Sequence, residues 1–271
     1  MARPATIRSP FRLLTGLLLA AAAAGQEPAS DPSLPGQLKD LRALVKDPKM
    51  EGDLRAGDLI QVLVKDHDKR NPKDLDKITA AIGEVFKLGK VRPPEQTRLY
   101  EQAGQALASL GKRGAKDLRA GVTDERIKDR NYARLRAKLI ESLGRTKDEE
   151  QVDFLLEQAL RSPDDLVIAA AGGALANFTE LEVPKVRDVV KRLIGRYGEY
   201  VAKGSQLDPT DPNAPIDIGP QNARATLAAI KEPWNATLAR LTGQSFSDAP
   251  DWQRWLNKNK DWQPPARKSG P

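Results

Sequence analysis

Apolar residues recur at steps of three and four positions through most of this 271-residue chain, and the pattern itself returns about every 33 residues. Leu143 lies 33 positions after Leu110, and Gly144 lies 33 positions after Gly111. Leu175 lies 32 positions after Leu143. Steps of three and four place side chains on one face of an α-helix. A helix pair of this length cannot cover its own apolar face, so neighbouring pairs must stack. The sequence therefore predicts an all-α fold, an α-α superhelix of stacked antiparallel helix pairs.

Caps and breakers predict where individual helices begin and end. Asn71 followed by Pro72 is a typical helix start, and the apolar stripe that follows ends at Gly89. Gly111 is expected to end its helix in the left-handed conformation. A shorter element is expected over residues 118–127, and the helix over residues 129–144 is expected to end at Gly144.

The helical pattern extends over residues 38–262, which we expect to form one helical repeat domain. Residues 164–178 are nearly all Ala, Leu, Val and Gly, which is typical of a helix enclosed by neighbours. Prolines and glycines predict a long loop over residues 203–220. After it, two helices are expected, at 223–230 and 234–241.

The N-terminal segment combines basic residues with a short apolar run. Arg3, Arg8 and Arg12 precede residues 13–24, which read LLTGLLLAAAAA. This order is typical of a cleaved signal peptide, here predicted over residues 1–25. A bilayer-spanning helix needs about 20 apolar residues, so no integral membrane span is expected after cleavage.

Composition outside the helical pattern predicts the remaining segments and the compartment. Residues 26–37 contain three Pro together with Ser, Asp and Gly, and are expected to be a flexible leader, while residues 263–271 are expected to be a disordered tail. The chain has no Cys, so the acylated cysteine of lipoproteins is absent. An export signal without Cys favours a bacterial periplasm, cell envelope or extracellular location.

The net charge does not predict a nucleic-acid partner. The formal charge is +7, and three of the cations, Arg3, Arg8 and Arg12, lie in the predicted signal peptide. The remaining charges alternate in sign along the chain, whereas nucleic-acid binding draws its affinity from clustered Lys and Arg.

Most nucleophilic and metal chemistry is excluded by residue type. A structural zinc site, a thiolate nucleophile or a Ser-His-Asp triad needs Cys or His, and His67 is the one histidine. His67 lies between Asp66 and Asp68, which a helix would place on different faces, so it is expected at the surface. We therefore expect no catalytic residue, no metal and no cofactor, and a protein that is not an enzyme.

Acidic residues have structural interpretations as well. Asp124 with Glu125, and Asp148 with its neighbours, stand where helices begin, where acids favour the positive end of the helix dipole. The loop acids Asp208, Asp211 and Asp217, with Asn213, could offer oxygen ligands to calcium, but prolines interrupt them and no Glu closes the set.

The segment NYARLRAKLIESLGRTKDEEQVDFLLEQALRSPDDLVIAAAGGALANF, residues 131–178, resembles the HEAT-repeat family. Asp164 and Asp165 match the turn acids of that family, and Ala169 to Ala171 match its packed small residues. Ile168 departs from the pattern, because many HEAT helices place an Arg or Lys there that ties to a turn Asp of the preceding repeat. The resemblance implies a HEAT-like solenoid with an incomplete polar ladder.

The resemblance covers about residues 95–243 and is weaker over 38–94. Armadillo-like and tetratricopeptide-like repeats remain alternatives. The closing segment, residues 238–262, is similar to that of exported bacterial HEAT-repeat proteins of planctomycete type, whose role is unassigned.

All four Trp residues lie near the C-terminal end: Trp234, Trp252, Trp255 and Trp262. Trp252 and Trp255 are three positions apart, which suits a cap over the last repeat. The same pair could form an aromatic platform for a glycan or peptide, so both are candidate binding residues.

These observations predict an exported scaffold that binds a protein or peptide on the concave face built by the second helix of each pair. A cell-envelope glycan binder that uses Trp252 and Trp255 is the alternative. A lyase-type enzyme is a third possibility, against which the lack of Cys and the single His argue.

Overall fold

The structure, a computed structural model, describes residues 30–206 and 218–265. Within these ranges every regular element is helical, as the periodicity predicts. The α-helices are α1 (Leu34–Lys46), α2 (Asp53–Val64), α3 (Pro72–Gly83), α4 (Arg98–Ser109), α5 (Lys112–Val122), α6 (Ala133–Arg145), α7 (Val152–Arg161), α8 (Asp165–Ala174), α9 (Val183–Gly204), α10 (Gly219–Thr242) and α11 (Ala249–Lys258). The predicted signal peptide, residues 207–217 of the predicted loop and residues 266–271 of the predicted tail lie outside the described residues.

The helices pack in two series. Helices α2, α4, α6, α8 and α10 contact one another in that order, and we call them the even layer. Helices α1, α3 and α5 contact one another in the second series, as do α7, α9 and α11. Helices also pack across the two series, as α4 does on α5 and α10 on α9. Each helix therefore packs mainly against helices one or two places away in the chain.

A continuous apolar core lies between these series. Leu41, Ile60, Leu107, Leu139 and Leu193 belong to it, and none has exposed surface. Burial of such a side chain stabilises the fold by about 1.5–3 kcal/mol. In the part of the chain that the structure describes, no helix is both long enough and apolar enough to cross a membrane.

The predicted helix start at Asn71 is confirmed. Its side chain accepts a 2.9 Å hydrogen bond from the N–H of Lys73, and Pro72 is the first helical residue. The α-helix itself ends at Gly83, and a short 3-10 turn continues the chain toward Gly89, whose φ is +72°.

The predicted end of this helix at Gly144 is correct to within one residue, but Gly144 is not the residue that ends it. Helix α6 continues through Arg145, and Lys147 is the next residue with a positive φ, at +53°. A Cβ atom on Gly144 would lie 2.6 Å from the Cβ of Ala174, so this glycine allows α6 and α8 to approach closely. At Gly111, φ is +62° but ψ is −139°, which is outside the left-handed helical region predicted there.

The two helices predicted on either side of Pro233 form one helix of 24 residues, α10. Pro233 has no N–H to donate to the carbonyl of Ala229, which weakens the helix locally. The helix continues because Ile230, Trp234 and Leu238 lie on one face and are fully buried, where α10 packs on α8 and α9. Tertiary packing therefore outweighs the local cost of the proline.

Helix α1 begins at Leu34, so the last part of the predicted flexible leader is helical. The residues before it are fixed to α3: the hydroxyl of Ser30 and the N–H of Asp31 donate to the carboxylate of Asp74 over 2.9 and 3.0 Å. Arg70 pairs with Asp31 at 3.3 Å. The backbone hydrogen bond from Asp31 and then the hydroxyl of Ser30 hold the pKa of Asp74 below its usual range.

Candidate functional site

Helix α8 carries the candidate site. It packs against α6, α7 and α10, and Val167 and Ala171 are buried in these contacts. The α-helix is shorter than the predicted 164–178, because a 3-10 turn replaces it after Ala174. One side of α8 stays open, and it carries small or apolar residues at steps of three and four, which we call the α8 strip: Leu166, Ala169, Ala170 and Gly173.

The α8 strip forms the floor of a groove of about 830 Å³ between α6 and α10. Pro233 of α10 lines one wall, and Asn177 lies toward the C-terminal end of α8. Leu166 is 52% exposed, so its side chain is open to a ligand in the groove. Because the other strip residues have at most a methyl group, a ligand could approach the backbone of α8 closely.

The α6 wall of the groove is basic. Its exposed residues are Arg134, Lys138, Glu141 and Arg145, so three cations accompany one carboxylate. The Nζ atom of Lys138 lies 3.0 Å from Glu141, and both side chains are nearly half exposed. Arg145 donates to the hydroxyl of Ser142 over 2.9 Å. Within the described ranges, the side chain of Arg134 makes neither an ion pair nor a hydrogen bond.

A buried arginine positions the start of α8. Arg136 of α6 donates from Nη2 to the carboxylate of Asp164, the residue that precedes α8, and both side chains are 9% exposed. Its Nη1 donates to the carbonyl oxygens of Ile127 and Asp129. A buried charge needs such partners. Arg136 therefore joins α6 to the start of α8, the helix that forms the floor of the groove.

A polar contact also joins the start of α8 to α10, and it involves no cation. Arg136 and Ile168 are each the fourth residue of their helix, α6 and α8. Ile168 carries no charge, and near it the hydroxyl of Thr226 of α10 donates to the carboxylate of Asp165 over 2.5 Å.

Trp234 supports α8 from the side opposite the groove. Its indole N–H donates to the carbonyl of Ile168 over 3.3 Å. A Cβ atom on Gly172 would lie 1.9 Å from the indole nitrogen, so only glycine allows this approach. The ring of Tyr197 packs edge-on against the indole, with centroids 6.1 Å apart. Trp234 is therefore a packing residue.

The candidate binding residues Trp252 and Trp255 lie in an aromatic cluster where α11 packs on α9. Trp252 is fully buried, and its indole N–H donates to Asn235 over 2.8 Å. Trp255 is half-buried, with its ring centroid 6.1 Å from that of Trp252 and 5.4 Å from that of Trp262. Trp252 is thus inaccessible to a ligand in this structure, and Trp255 is accessible in part.

The other residues considered from the sequence have structural contacts. A ring nitrogen of His67 lies 3.2 Å from the carbonyl of Val64, and no group of metal-binding side chains is found in residues 30–206 and 218–265. Asp124 and Asp148 are N-caps, as their positions predict, and accept hydrogen bonds from the backbone N–H groups two residues on. The proposed calcium ligands, residues 208–217, lie outside the described ranges.

The pKa of Asp124 shows how such an acid is held. Burial raises its pKa, but hydrogen bonds and charge from Arg126 outweigh burial, and the pKa lies below its usual value. Asp124 is therefore an ionised cap rather than a proton donor.

The cations of the α6 wall are not among the site residues predicted from the sequence. Arg134, Lys138 and Arg145 are spaced by four and seven residues, which places them on one face of a helix. The spacing is visible in the sequence, but only the packing of α8 against α6 shows that this face borders an uncovered apolar strip.

Comparisons with protein-family models, with curated proteins and with solved structures give no match for this chain.

Proposed function

We propose that this protein is a non-enzymatic scaffold that binds a protein or peptide partner in the groove above α8. The observation that carries this proposal is the uncovered α8 strip, with its half-exposed Leu166, between the basic wall of α6 and Pro233. Exposed apolar surfaces with polar rims are typical of interaction sites.

The layered packing supports a HEAT-like superhelix as the frame of this groove. Helices α6 and α8 begin 32 residues apart, close to the sequence period, and belong to the even layer. In such a superhelix the even layer supplies the second helix of each pair, so the groove would lie on the concave face. The relation to exported HEAT-repeat proteins of planctomycete type rests on residues 131–178 and 238–262.

The groove chemistry favours binding over catalysis. Its lining is aliphatic, small or cationic apart from Asn177 and Glu141, and Glu141 is exposed and paired with Lys138. General acid–base catalysis needs a titratable group held in a fixed position, and the exposed side chain of Glu141, paired at the surface with Lys138, is not held in this way.

Export is part of the proposal and rests on the basic and apolar N-terminal sequence. Cleavage of a signal peptide over residues 1–25 would place the mature protein in the periplasm, the cell envelope or the medium. Mass spectrometry of the exported protein should find its first residue close to Ala24, Gly25 or Gln26, and a retained N-terminus would contradict this part of the proposal.

Site-specific photo-cross-linking tests the binding function. A benzophenone amino acid is placed at position 166 in the groove or, as the control, at position 116, an exposed site on α5. In the native envelope fraction we expect discrete protein adducts from position 166 that Ala170→Gln with Gly173→Gln suppresses. Absence of adducts at 166, or the same adducts from both positions, would contradict the proposal.

Glycan binding is the second candidate, favoured by the neighbouring and partly accessible rings of Trp255 and Trp262. Tryptophan fluorescence during titration with peptidoglycan fragments tests it. A saturable shift that is lost in Trp255→Ala, with an unchanged circular dichroism spectrum, would support glycan binding. A shift that survives in Trp255→Ala, or no shift, would argue against it.

A further inference from the structure

We infer that the partner segment bound in the groove above α8 is acidic and carries at least two apolar anchor residues. This inference rests on the proposed binding function and adds the chemistry of the partner.

The charge of the α6 wall selects an acidic segment. Arg134, Lys138 and Arg145 extend over about 16 Å of the helix, at a rise of about 1.5 Å per residue. Glu141 is the one carboxylate among them. An approaching anion therefore meets an excess of positive charge along the full groove wall, whereas a basic segment is repelled.

These cations are available to a partner. Arg134 has no ionic partner in the described part of the chain, and Arg145 is held only by the neutral hydroxyl of Ser142. The pair of Lys138 and Glu141 is solvent-exposed, and such pairs contribute little to stability. Carboxylates of a ligand could bind all three cations without breaking a buried contact.

The α8 strip, which forms the floor of the groove, determines which uncharged side chains the ligand needs. The α8 strip is uncharged over its length of about 10 Å, which matches two helical turns or about three extended residues. Two apolar side chains can therefore lie on Leu166 and over the small residues Ala170 and Gly173. Their contact with the strip removes water around the α6 cations, which strengthens the attraction to neighbouring carboxylates.

Selection from a random library of peptides about 12 residues long, roughly 18 Å if helical, tests this inference with the intact mature protein. Each round includes counter-selection on Ala170→Gln with Gly173→Gln, which fills the groove without changing its charge. We expect the groove-dependent peptides to be rich in Asp and Glu beside Leu, Ile or Phe. Enrichment of basic or neutral peptides would overturn the inference while leaving the binding function intact. If no groove-dependent peptide is enriched, both the inference and the proposed function are wrong.

A selected acidic peptide is then titrated by fluorescence anisotropy against matched charge variants. Arg134→Glu with Lys138→Glu should weaken binding about tenfold or more, and higher salt should weaken it as well. Lys112→Glu with Lys116→Glu, on the exposed side of α5, changes the net charge equally and should alter the affinity less than about threefold. Equal loss in both variants would mean that the overall charge, and not the α6 wall, attracts the peptide, and would overturn the inference.

Discussion

Arg92 has no exposed surface although it carries a full charge. Its guanidinium donates to both carboxylate oxygens of Asp53, over 3.0 and 2.7 Å, and to the carbonyl of Val45 over 2.8 Å. The carbonyl of Arg92 accepts a 3.0 Å hydrogen bond from the hydroxyl of Tyr132. One side chain therefore joins the end of α1, the start of α2 and the loop before α4. Nothing in the sequence around residue 92 distinguishes it from the many surface arginines.

Replacing Arg92 by Ala should destabilise the fold by about 3–5 kcal/mol, because Asp53 and the carbonyl of Val45 would lose a buried partner. Urea unfolding followed by circular dichroism measures this loss. Arg98→Ala, at an exposed site on α4, should change stability by no more than about 0.5 kcal/mol. A loss below about 1 kcal/mol for Arg92→Ala would show that the buried contacts contribute little.

Alanine substitutions at Gly172 and Gly195 test how closely the backbone of each glycine is approached by neighbouring side chains. Gly172→Ala places a methyl group against the indole of Trp234 and should cost about 1–3 kcal/mol. At Gly195, inside α9, an added Cβ meets nothing within 4 Å, so Gly195→Ala should stabilise the fold by about 0.5–1 kcal/mol. Thermal unfolding of the two variants should therefore show shifts of opposite sign, and equal shifts would contradict the close approach of α8 and α10.

At the scale of helices, the sequence predicts their existence better than their ends. Gly144 and Pro233 both look like breakers, yet Gly144 lies inside the last turn of α6, which ends at Arg145, and α10 continues for nine residues past Pro233. Gly144 allows the close approach of α6 to α8. Pro233 is tolerated inside α10 because residues on both sides of it are buried. In both cases a neighbouring helix determines the role of the residue, and the local sequence pattern does not identify that helix.

Two carboxyl groups on neighbouring helices should give opposite dependences on pH. The pKa of Asp74 on α3 is lowered by the Asp31 N–H and the Ser30 hydroxyl. The pKa of Asp117 on α5 is raised by burial, which outweighs the opposing charge of Lys87. A lowered pKa stabilises the folded chain above the unfolded value of about 3.9, and the contribution is lost as the pH falls through the folded pKa. A raised pKa destabilises the folded chain as the pH rises from the unfolded value through the folded one.

Asp74→Asn should therefore lower the melting temperature near pH 7, and Asp117→Asn should raise it, while both effects should fade toward about pH 2. Melting curves from about pH 2 to pH 7 check both signs in one series. Shifts that do not depend on pH would show that packing, and not ionisation, is responsible.

At the scale of the whole molecule, the period and the apolar stripes were sufficient to predict an all-helical chain that packs neighbour on neighbour. The groove could be predicted only in part. The composition of residues 164–178 indicates an apolar helix, but it predicts a helix enclosed on every side and not one with an open side. Which side of α8 stays open depends on where α6 and α10 pack against it, and the contacts of Arg136 and Trp234 with this part of the chain join residues that are distant in the sequence.

If α11 caps the last helix pair, the stability of the fold should depend on Trp252. Trp252→Ala should cost about 3–5 kcal/mol, because it leaves a cavity beside Phe246 and removes the hydrogen bond to Asn235. Trp255→Ala removes a half-buried ring and should cost clearly less. Chemical denaturation of both variants checks the order, and a small loss for Trp252→Ala would contradict the capping role.

Pro233 lines the groove and interrupts the backbone hydrogen bonding of α10 at the same place. The carbonyl oxygen of Ala229, which an ordinary residue at 233 would engage, is left without its usual donor. Since proline has no N–H, position 233 offers a bound chain an apolar ring and no hydrogen-bond donor. Polar recognition in the groove therefore falls to the opposite wall, on α6.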